Sequence, residues 1–226
     1  MSSHLPSRSE ALAVRLHPPP RRAARAYTVI EVMVALTLLA IGASGVIAMQ
    51  KYTSIANRNA KNLALANQLA RTWVERLRTD ALQWNHPSPV DPSGNDLATD
   101  TRWLRQAAGA GTGLTAWLRP ADDASFGSPA FDALGTDVRD ADAGAAVFCT
   151  NVRFAWLWGP PPGVNPPYLL RAEVRVFWLR EGGGGLMGTQ RSICDGDFTG
   201  WDDLGSQVER FHFVYVTSAI GQNTAH

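Results

Sequence analysis

The feature that most constrains this chain is an uncharged apolar segment close to the N-terminus. Residues 32–50 hold no charged side chain. With the apolar residues that follow Tyr27, the segment reaches the ~20 residues that a helix needs to cross a bilayer. The apolar core of a secretory signal is shorter, about 7–15 residues, and ends at a small-residue cleavage site. The length therefore predicts a retained span, with residues 27–50 as the membrane-embedded half of a longer helix.

The residues in front of this span are basic. Residues 1–26 hold five arginines against Glu10, a net charge of +4, whereas the whole chain carries +1. Three consecutive prolines at 18–20 exclude a continuous helix there. By the positive-inside rule this end stays cytoplasmic, and everything after Gln50 lies outside. We interpret residues 1–26 as a processed or disordered leader.

The composition of the chain limits its function class. The 226 residues include 21 basic and 20 acidic side chains, and 45% are hydrophobic. Such a balance argues against direct binding of nucleic acid, and the apolar share argues against wholesale disorder. The chain contains no H-E-x-x-H, G-x-S-x-G or phosphate-loop pattern. We therefore expect no catalytic residue, no metal and no cofactor, and a membrane-anchored enzyme is a remote alternative.

Glu31 is the one residue that does not suit a membrane span. A carboxylate at that depth costs several kcal/mol unless it becomes protonated, reaches the interface or finds a partner. One interpretation places Glu31 at the interface near the helix start, where the helix dipole favours an anion. The other pairs Glu31 with a positive charge of another chain inside the membrane. The amino group of Tyr27 would be such a charge once the leader is removed.

The sequence around Glu31 resembles a known processing signal. Residues 25–36 read RAYTVIEVMVAL, and this segment is similar to the cleavage and methylation signal of type IV prepilins. The resemblance implies cleavage between Ala26 and Tyr27 by a prepilin peptidase, and N-methylation of Tyr27. It also implies pairing of Glu31 with the amino terminus of a neighbouring subunit during assembly. Ala26 stands where the family normally has glycine, and Tyr27 where it usually has phenylalanine.

An amphipathic helix follows the span without a turn signal. Apolar residues recur at helical spacings of three and four and share one face; they are Leu63, Ala66, Ala70, Trp73 and Leu77. Pro87 cannot continue a helix. Residues 51–84 are therefore predicted to be the amphipathic half of one long helix.

Residues 85–226 are predicted to form a globular head. Residues 85–145 are expected to be loops with short helices near 101–108 and 128–134. Strands are predicted to begin near Val147 and to include 169–180 and 208–217, where apolar and polar residues alternate. This alternation predicts one face buried against the helix stripe and one polar face in solvent. The expected fold is α+β, a long helix packed on an antiparallel sheet of three to four strands.

The head contains two cysteines, an aspartate- and glycine-rich segment and a group of aspartates that could each form a site. Cys149 and Cys194 lie 45 residues apart, and outside the cytoplasm a disulfide is the expected state, with two buried thiols as the alternative. The segment 195–203 has the aspartates of a calcium loop but lacks the acidic fifth position and the distal glutamate, which favours a turn. Trp201 in that segment is predicted to be exposed. Six aspartates between 122 and 142 are expected to form a solvated acidic surface, with a partner or cation contact as the alternative.

The resemblance extends beyond the processing signal. Residues 22–85 look like the PilV group of minor pilins, and major pilins often carry a helix-breaking proline where this chain has Ala48. The resemblance implies the type IV pilin fold and a minor pilin that helps prime pilus assembly at or near the tip. It implies as partners other minor pilins, the major pilin, the prepilin peptidase/methyltransferase, the inner membrane and a tip adhesin. The head would lie in the periplasm before assembly and at the cell surface afterwards. A minor pseudopilin of type II secretion is the alternative.

Overall fold

A computed structural model describes residues 27–87, 94–110, 113–159, 168–180, 194 and 200–224. The chain divides into two compact units, Met1–Thr53 and Ser54–His226. Helix α1 spans Val29–Asp80 and continues as a 3-10 turn, Ala81–Gln83. The leader and its cleavage site lie outside the described residues, apart from Tyr27.

The second unit is built on a five-stranded antiparallel sheet, which confirms the α+β architecture. The strand order is β3-β2-β4-β5-β6. The three long strands were predicted, whereas the two short ones were not. A separate parallel pair joins β1 to β7. The bounds are β1 Asn85–His86, β2 Ala130–Phe131, β3 Asp137–Val138, β4 Phe148–Trp158, β5 Leu169–Leu179, β6 Phe211–Gly221 and β7 Asn223–Thr224.

Two local predictions in the head are wrong. The third long strand begins three residues later than predicted, because the backbone N–H groups of Arg210 and Phe211 donate to the carbonyl of Gln207 in a turn. The helix predicted near 128–134 is instead β2, which pairs with β3 and β4. Near the other predicted helix, the structure has α2 at Leu97–Asp100 and a 3-10 turn at Leu104–Ala107.

The apolar stripe of α1 packs on the sheet as predicted. Trp73 and Leu77 are fully buried, whereas Leu63 at the start of the stripe remains half exposed. The sheet residues of this first core come from four strands, and their side chains close over the helix; they are Phe131, Phe148, Val152, Phe154, Trp156, Leu170, Ala172, Val174, Val176, Trp178, Val214 and Ile220. Ala66 and Ala70 let the helix approach the sheet closely because they carry the smallest apolar side chains in the stripe.

The prediction of a solvated second sheet face is wrong. Glu173, Arg175 and Phe177 on β5 point to that face, and all three are buried. A second apolar cluster covers it, formed by Trp117, Ala130, Val138, Ala146, Cys149, Phe177, Cys194, Trp201, Leu204 and Phe211. The polar residues of β5 are neutralised locally, since Glu173 forms ion pairs with Arg153 and Arg171. The alternation of charged and apolar residues along β5 therefore does not indicate a solvent-exposed face.

Most aspartates of the predicted solvated acidic surface are instead engaged in ion pairs. Four of the six aspartates bind arginines, three of them in the head and one on α1; the pairs are Asp122–Arg139, Asp123–Arg102, Asp140–Arg119 and, with the helix, Asp137–Arg76. Asp132 accepts the backbone N–H groups of Leu134 and Thr136 in a turn. Gly127 lies beside the Arg76–Asp137 pair at φ 131°, and a Cβ there would collide with the guanidinium of Arg76.

Candidate functional site

The N-terminal end of α1 is closed by a side-chain cap. The hydroxyl of Thr28 accepts the backbone N–H of Glu31 at 3.3 Å, and the carbonyl of Thr28 accepts the N–H groups of Glu31 and Val32. Threonine at the cap with glutamate three residues later is the capping-box pattern. The cap was not predicted, although the T-x-x-E spacing of Thr28 and Glu31 indicates it.

Glu31 lies in the first turn of α1, with its side chain exposed within its own unit. The helix dipole favours a carboxylate at this end. Among the described residues, the carboxylate receives no hydrogen bond or ion pair. A carboxylate that enters an apolar environment therefore requires a partner from outside the chain or must take up a proton.

The segment that follows Glu31 presents an apolar surface on every side. All residues from 27 to 54 are exposed, Leu38 and Ile47 by about two thirds. The polar side chains inside the span are satisfied locally, since the hydroxyls of Thr37 and Ser44 donate to the carbonyls three residues earlier at 2.8 Å. A helix that is apolar all round belongs in lipid or among other apolar helices. In the described part of the chain, this is the one stretch long and apolar enough to cross a membrane.

The two glycines of the span leave room for a neighbour. A Cβ built on Gly42 or Gly45 would meet no atom within 4 Å. Small residues on a membrane helix allow another helix to approach closely. Tyr27 precedes this surface and is 78% exposed, whereas Ala26 lies outside the described residues.

The structure joins Cys149 and Cys194 in a disulfide, with Cα atoms 5.5 Å apart. Both cysteines are buried in the second apolar cluster. The carbonyl of Cys194 accepts the Nε–H of Arg119 at 2.8 Å. The bond therefore holds Cys194 against β4, the strand that carries Cys149.

Beside the disulfide lies a buried arginine. Arg175 is fully buried, and its Nη2 donates to the side-chain oxygen of Asn151 and to the carbonyl of Trp201, each at 2.7 Å. Its guanidinium carbon lies 4.3 Å from the ring centre of Trp117. Burial lowers the pKa of Arg175 to about 10, although the interaction with Tyr215 opposes the shift. The arginine therefore organises the second cluster.

The predicted turn at 195–203 is described only in part, because residues 195–199 lie outside the described ranges. Trp201 is buried, so its predicted exposure is wrong; its ring lies 6.3 Å from that of Phe177. Asp202 accepts the backbone N–H of Trp117 at 2.8 Å. Within the described ranges, no three His, Cys, Asp or Glu side chains are grouped to hold a metal ion.

Comparisons with known proteins bear on the N-terminal segment. Residues 21–47 match the family model described as the prokaryotic N-terminal methylation motif. Searches of curated proteins and of solved structures found no chain similar to this one. The matched segment contains the Thr28 cap, Glu31 and most of the exposed apolar helix. The motif, the apolar helix and the α+β head together support a type IV pilin-like protein anchored in a membrane.

Proposed function

We propose that this chain is a minor pilin that helps prime assembly of a type IV pilus and lies at or near the pilus tip. One observation carries the proposal. The methylation motif at 21–47 overlaps the exposed stretch 27–54, whose single carboxylate, Glu31, has no partner among the described residues. Such a helix is suited to leave the lipid and enter a bundle of similar helices, where the carboxylate can be neutralised.

Neutralisation comes from the amino terminus of an adjacent subunit. Removal of residues 1–26 exposes the amino group of Tyr27 as a cation at the start of the same helix. Within a bundle of low dielectric, a carboxylate and an ammonium group attract each other strongly. Removing one of them leaves the other as an uncompensated buried charge, which destabilises the bundle by about 3–5 kcal/mol. The pair therefore fixes the register of neighbouring helices and penalises wrong insertion.

The proposed partners follow from this mechanism. The prepilin peptidase/methyltransferase processes the Ala26–Tyr27 bond in the inner membrane, and other minor pilins and the major pilin bind the exposed apolar helix. The head lies in the periplasm before assembly and reaches the cell surface at the tip, where it contacts a tip adhesin. The continuous helix through Ala48, where major pilins often carry proline, supports a minor subunit over the main building block.

A minor pseudopilin of a type II secretion system is the second candidate, because the same motif and the same exposed helix serve both assemblies. Deletion of the chain separates the two. Loss of surface pili with normal secretion supports the pilus assignment, and the reverse result supports the pseudopilin.

Processing is tested by the N-terminal mass of the protein extracted from membranes. We expect a chain that begins at a methylated Tyr27. An intact leader in cells with an active prepilin peptidase would contradict the proposal.

Pairing is tested by Glu31→Ala, with the exposed Glu209→Ala in the head as the matched control. We expect Glu31→Ala to lose surface pili while leader removal continues, because the amine of the neighbour is left unpaired. Glu209→Ala should assemble normally. Normal piliation in the Glu31 variant would refute the pairing mechanism.

A further inference from the structure

Among the described residues, strand β6 forms an edge of the five-stranded sheet, and its sequence lacks the charges and prolines that usually protect an edge. Its eleven residues, Phe211–Gly221, include no Asp, Glu, Lys, Arg or Pro. It pairs with β5 in unbroken register along its whole length. Natural proteins normally protect an edge strand by charges, prolines, bulges or brevity. The opposite edge shows the contrast, since β3 has two residues and begins with Asp137.

The hydrogen-bond alternation identifies which backbone groups of β6 point away from the sheet. Arg180 donates its backbone N–H to the carbonyl of Arg210, and Gln222 donates to the carbonyl of Tyr168, both at 2.9 Å. In an antiparallel pair, alternate residues bond inward and outward. The backbone N–H and C=O groups of even-numbered residues of β6 therefore point to β5, and those of odd-numbered residues point away from the sheet. Among the described residues, none bonds the outward groups of Phe213, Tyr215 and Thr217.

A groove runs between this edge and helix α1. It has a volume of about 240 Å³ and lies within the second unit, lined by Arg71, Val74, Glu75, Arg78, Val216, Thr217 and Ser218. Arg78 donates to Glu75 at 2.7 Å and to the hydroxyl of Ser218 at 3.2 Å. Arg71 is exposed, and the described part of the chain gives it no ion pair or hydrogen bond. The groove is thus apolar at Val74 and Val216, and its charged rim carries a net +1.

We propose that the β6 edge binds an extended segment of a partner protein as an added strand, with an acidic side chain of that segment placed against Arg71. Strand addition takes its affinity from main-chain hydrogen bonds and its specificity from alternate side chains in adjoining pockets. The outward groups between 213 and 219 span roughly 20 Å, which suits a segment of about seven residues.

Charge argues against a second copy of this chain as the occupant. Two β6 strands paired antiparallel would form one continuous sheet, related by an axis perpendicular to it. The two grooves, each with a rim charge of +1 because Arg78 binds Glu75, would then lie on the same side of the sheet, one on either side of the joint. Like charges in this position disfavour the pairing, whereas a carboxylate is attracted.

The test uses the full chain in detergent micelles and a synthetic seven-residue peptide of alternating valine and glutamate. Amide hydrogen exchange is followed residue by residue. We expect at least tenfold slower exchange at Phe213, Tyr215 and Thr217, because their N–H groups gain acceptors. Exchange at Val214 and Val216, which already bond β5, should change little. The same peptide with lysine in place of glutamate should bind at least tenfold more weakly.

Two variants separate the backbone contribution from the charge contribution. Thr217→Pro removes one outward N–H without removing a bond to β5, and should weaken peptide binding at least tenfold, while Thr217→Val should bind as the parent does. Arg71→Glu should abolish the preference for the acidic peptide. If the proline variant fails to fold, the Arg71 variant decides the matter alone.

Several outcomes would overturn the proposal. They are unchanged exchange in β6 at millimolar acidic peptide, equal binding by the two Thr217 variants, and an undiminished acidic preference in Arg71→Glu. Slow exchange at the same odd-numbered amides without peptide, together with a doubled protein mass, would identify a second copy as the occupant. None of these measurements involves processing or filament assembly, so their failure would leave the proposed function standing.

Discussion

Arg175 has the environment least expected from its place in the sequence, because an arginine in an alternating strand normally points to solvent. Here its guanidinium supplies the hydrogen bonds of Asn151 and of the Trp201 carbonyl. Arg175→Ala removes both hydrogen bonds, and a buried acceptor that loses its donor costs about 1–3 kcal/mol. We expect a loss of about 3 kcal/mol in the free energy of unfolding, measured by urea denaturation of the full chain in detergent.

The control for Arg175 is Arg105→Ala, which truncates an exposed arginine of the head. Exposed substitutions of this kind change stability by about 0.5 kcal/mol or less. Equal losses in the two variants would show that Arg175 does not hold the second cluster together.

His212 gives the head a dependence on pH. Its ring stacks on Trp178 with centres 5.2 Å apart, and burial, followed by the charge of Arg180, lowers its pKa from 6.5. The folded protein therefore holds the proton less tightly than the unfolded chain, and this residue's contribution to stability is lost as the pH falls below 6.5. Unfolding at pH 7.5 and pH 5.0 should show a smaller difference in His212→Gln than in the parent. A difference of the same size would exclude His212 as a source of the dependence.

At the scale of elements, the contact between α1 and the sheet depends on the buried stripe of the helix. Leu77 is fully buried there, whereas Leu63 is half exposed. Leu77→Ala should cost about 2–5 kcal/mol of unfolding free energy, since it leaves a cavity in the first core. Leu63→Ala is the matched control and should cost much less. A similar loss in both variants would mean that the stripe does not carry the contact.

Periodicity predicted this helix face and the three long strands, because each of them buries one apolar stripe. It did not predict that β5 is buried on both sides. The sequence predicted that Glu173 and Arg175 face solvent, but the second apolar cluster covers their face of the sheet, with Trp117 and Trp201 from distant segments. Glu173 pairs with Arg171 two residues away, but its other partner, Arg153, lies on β4, and the ring of Trp117 that stacks on Arg175 comes from a distant segment. Periodicity along β5 does not indicate these contacts between separate segments.

The candidate site divides in the same way. Glu31 and its spacing from Tyr27 belong to a local motif, so the sequence alone predicted them. The Thr28 cap could have been predicted from the same local spacing. The β6 edge was not indicated, because an edge is a property of strand order. The eleven residues of β6 do not by themselves indicate that the strand lies at the end of the strand order.

At the scale of the whole molecule, the disulfide links the fold of the head to the compartment in which it forms. The bond closes a loop between residues 149 and 194, worth about 4 kcal/mol when treated as loop entropy in the unfolded chain. Such bonds persist where the surroundings are oxidising. A head translocated across the inner membrane should therefore carry the bond, whereas one retained in the cytoplasm should carry two thiols.

Alkylation of protein that is extracted without reductant and then unfolded in urea distinguishes these two states, because both cysteines are buried in the folded head. We expect neither Cys149 nor Cys194 to be labelled until a reductant is added, and the double variant Cys149→Ser/Cys194→Ser to unfold at lower urea concentration by an amount that corresponds to about 4 kcal/mol. Arg119→Ala serves as a partial control, because it removes the hydrogen bond to Cys194 and leaves the covalent link. Labelling of both thiols without reduction would contradict an oxidised head and, with it, the proposed location of the head beyond the inner membrane.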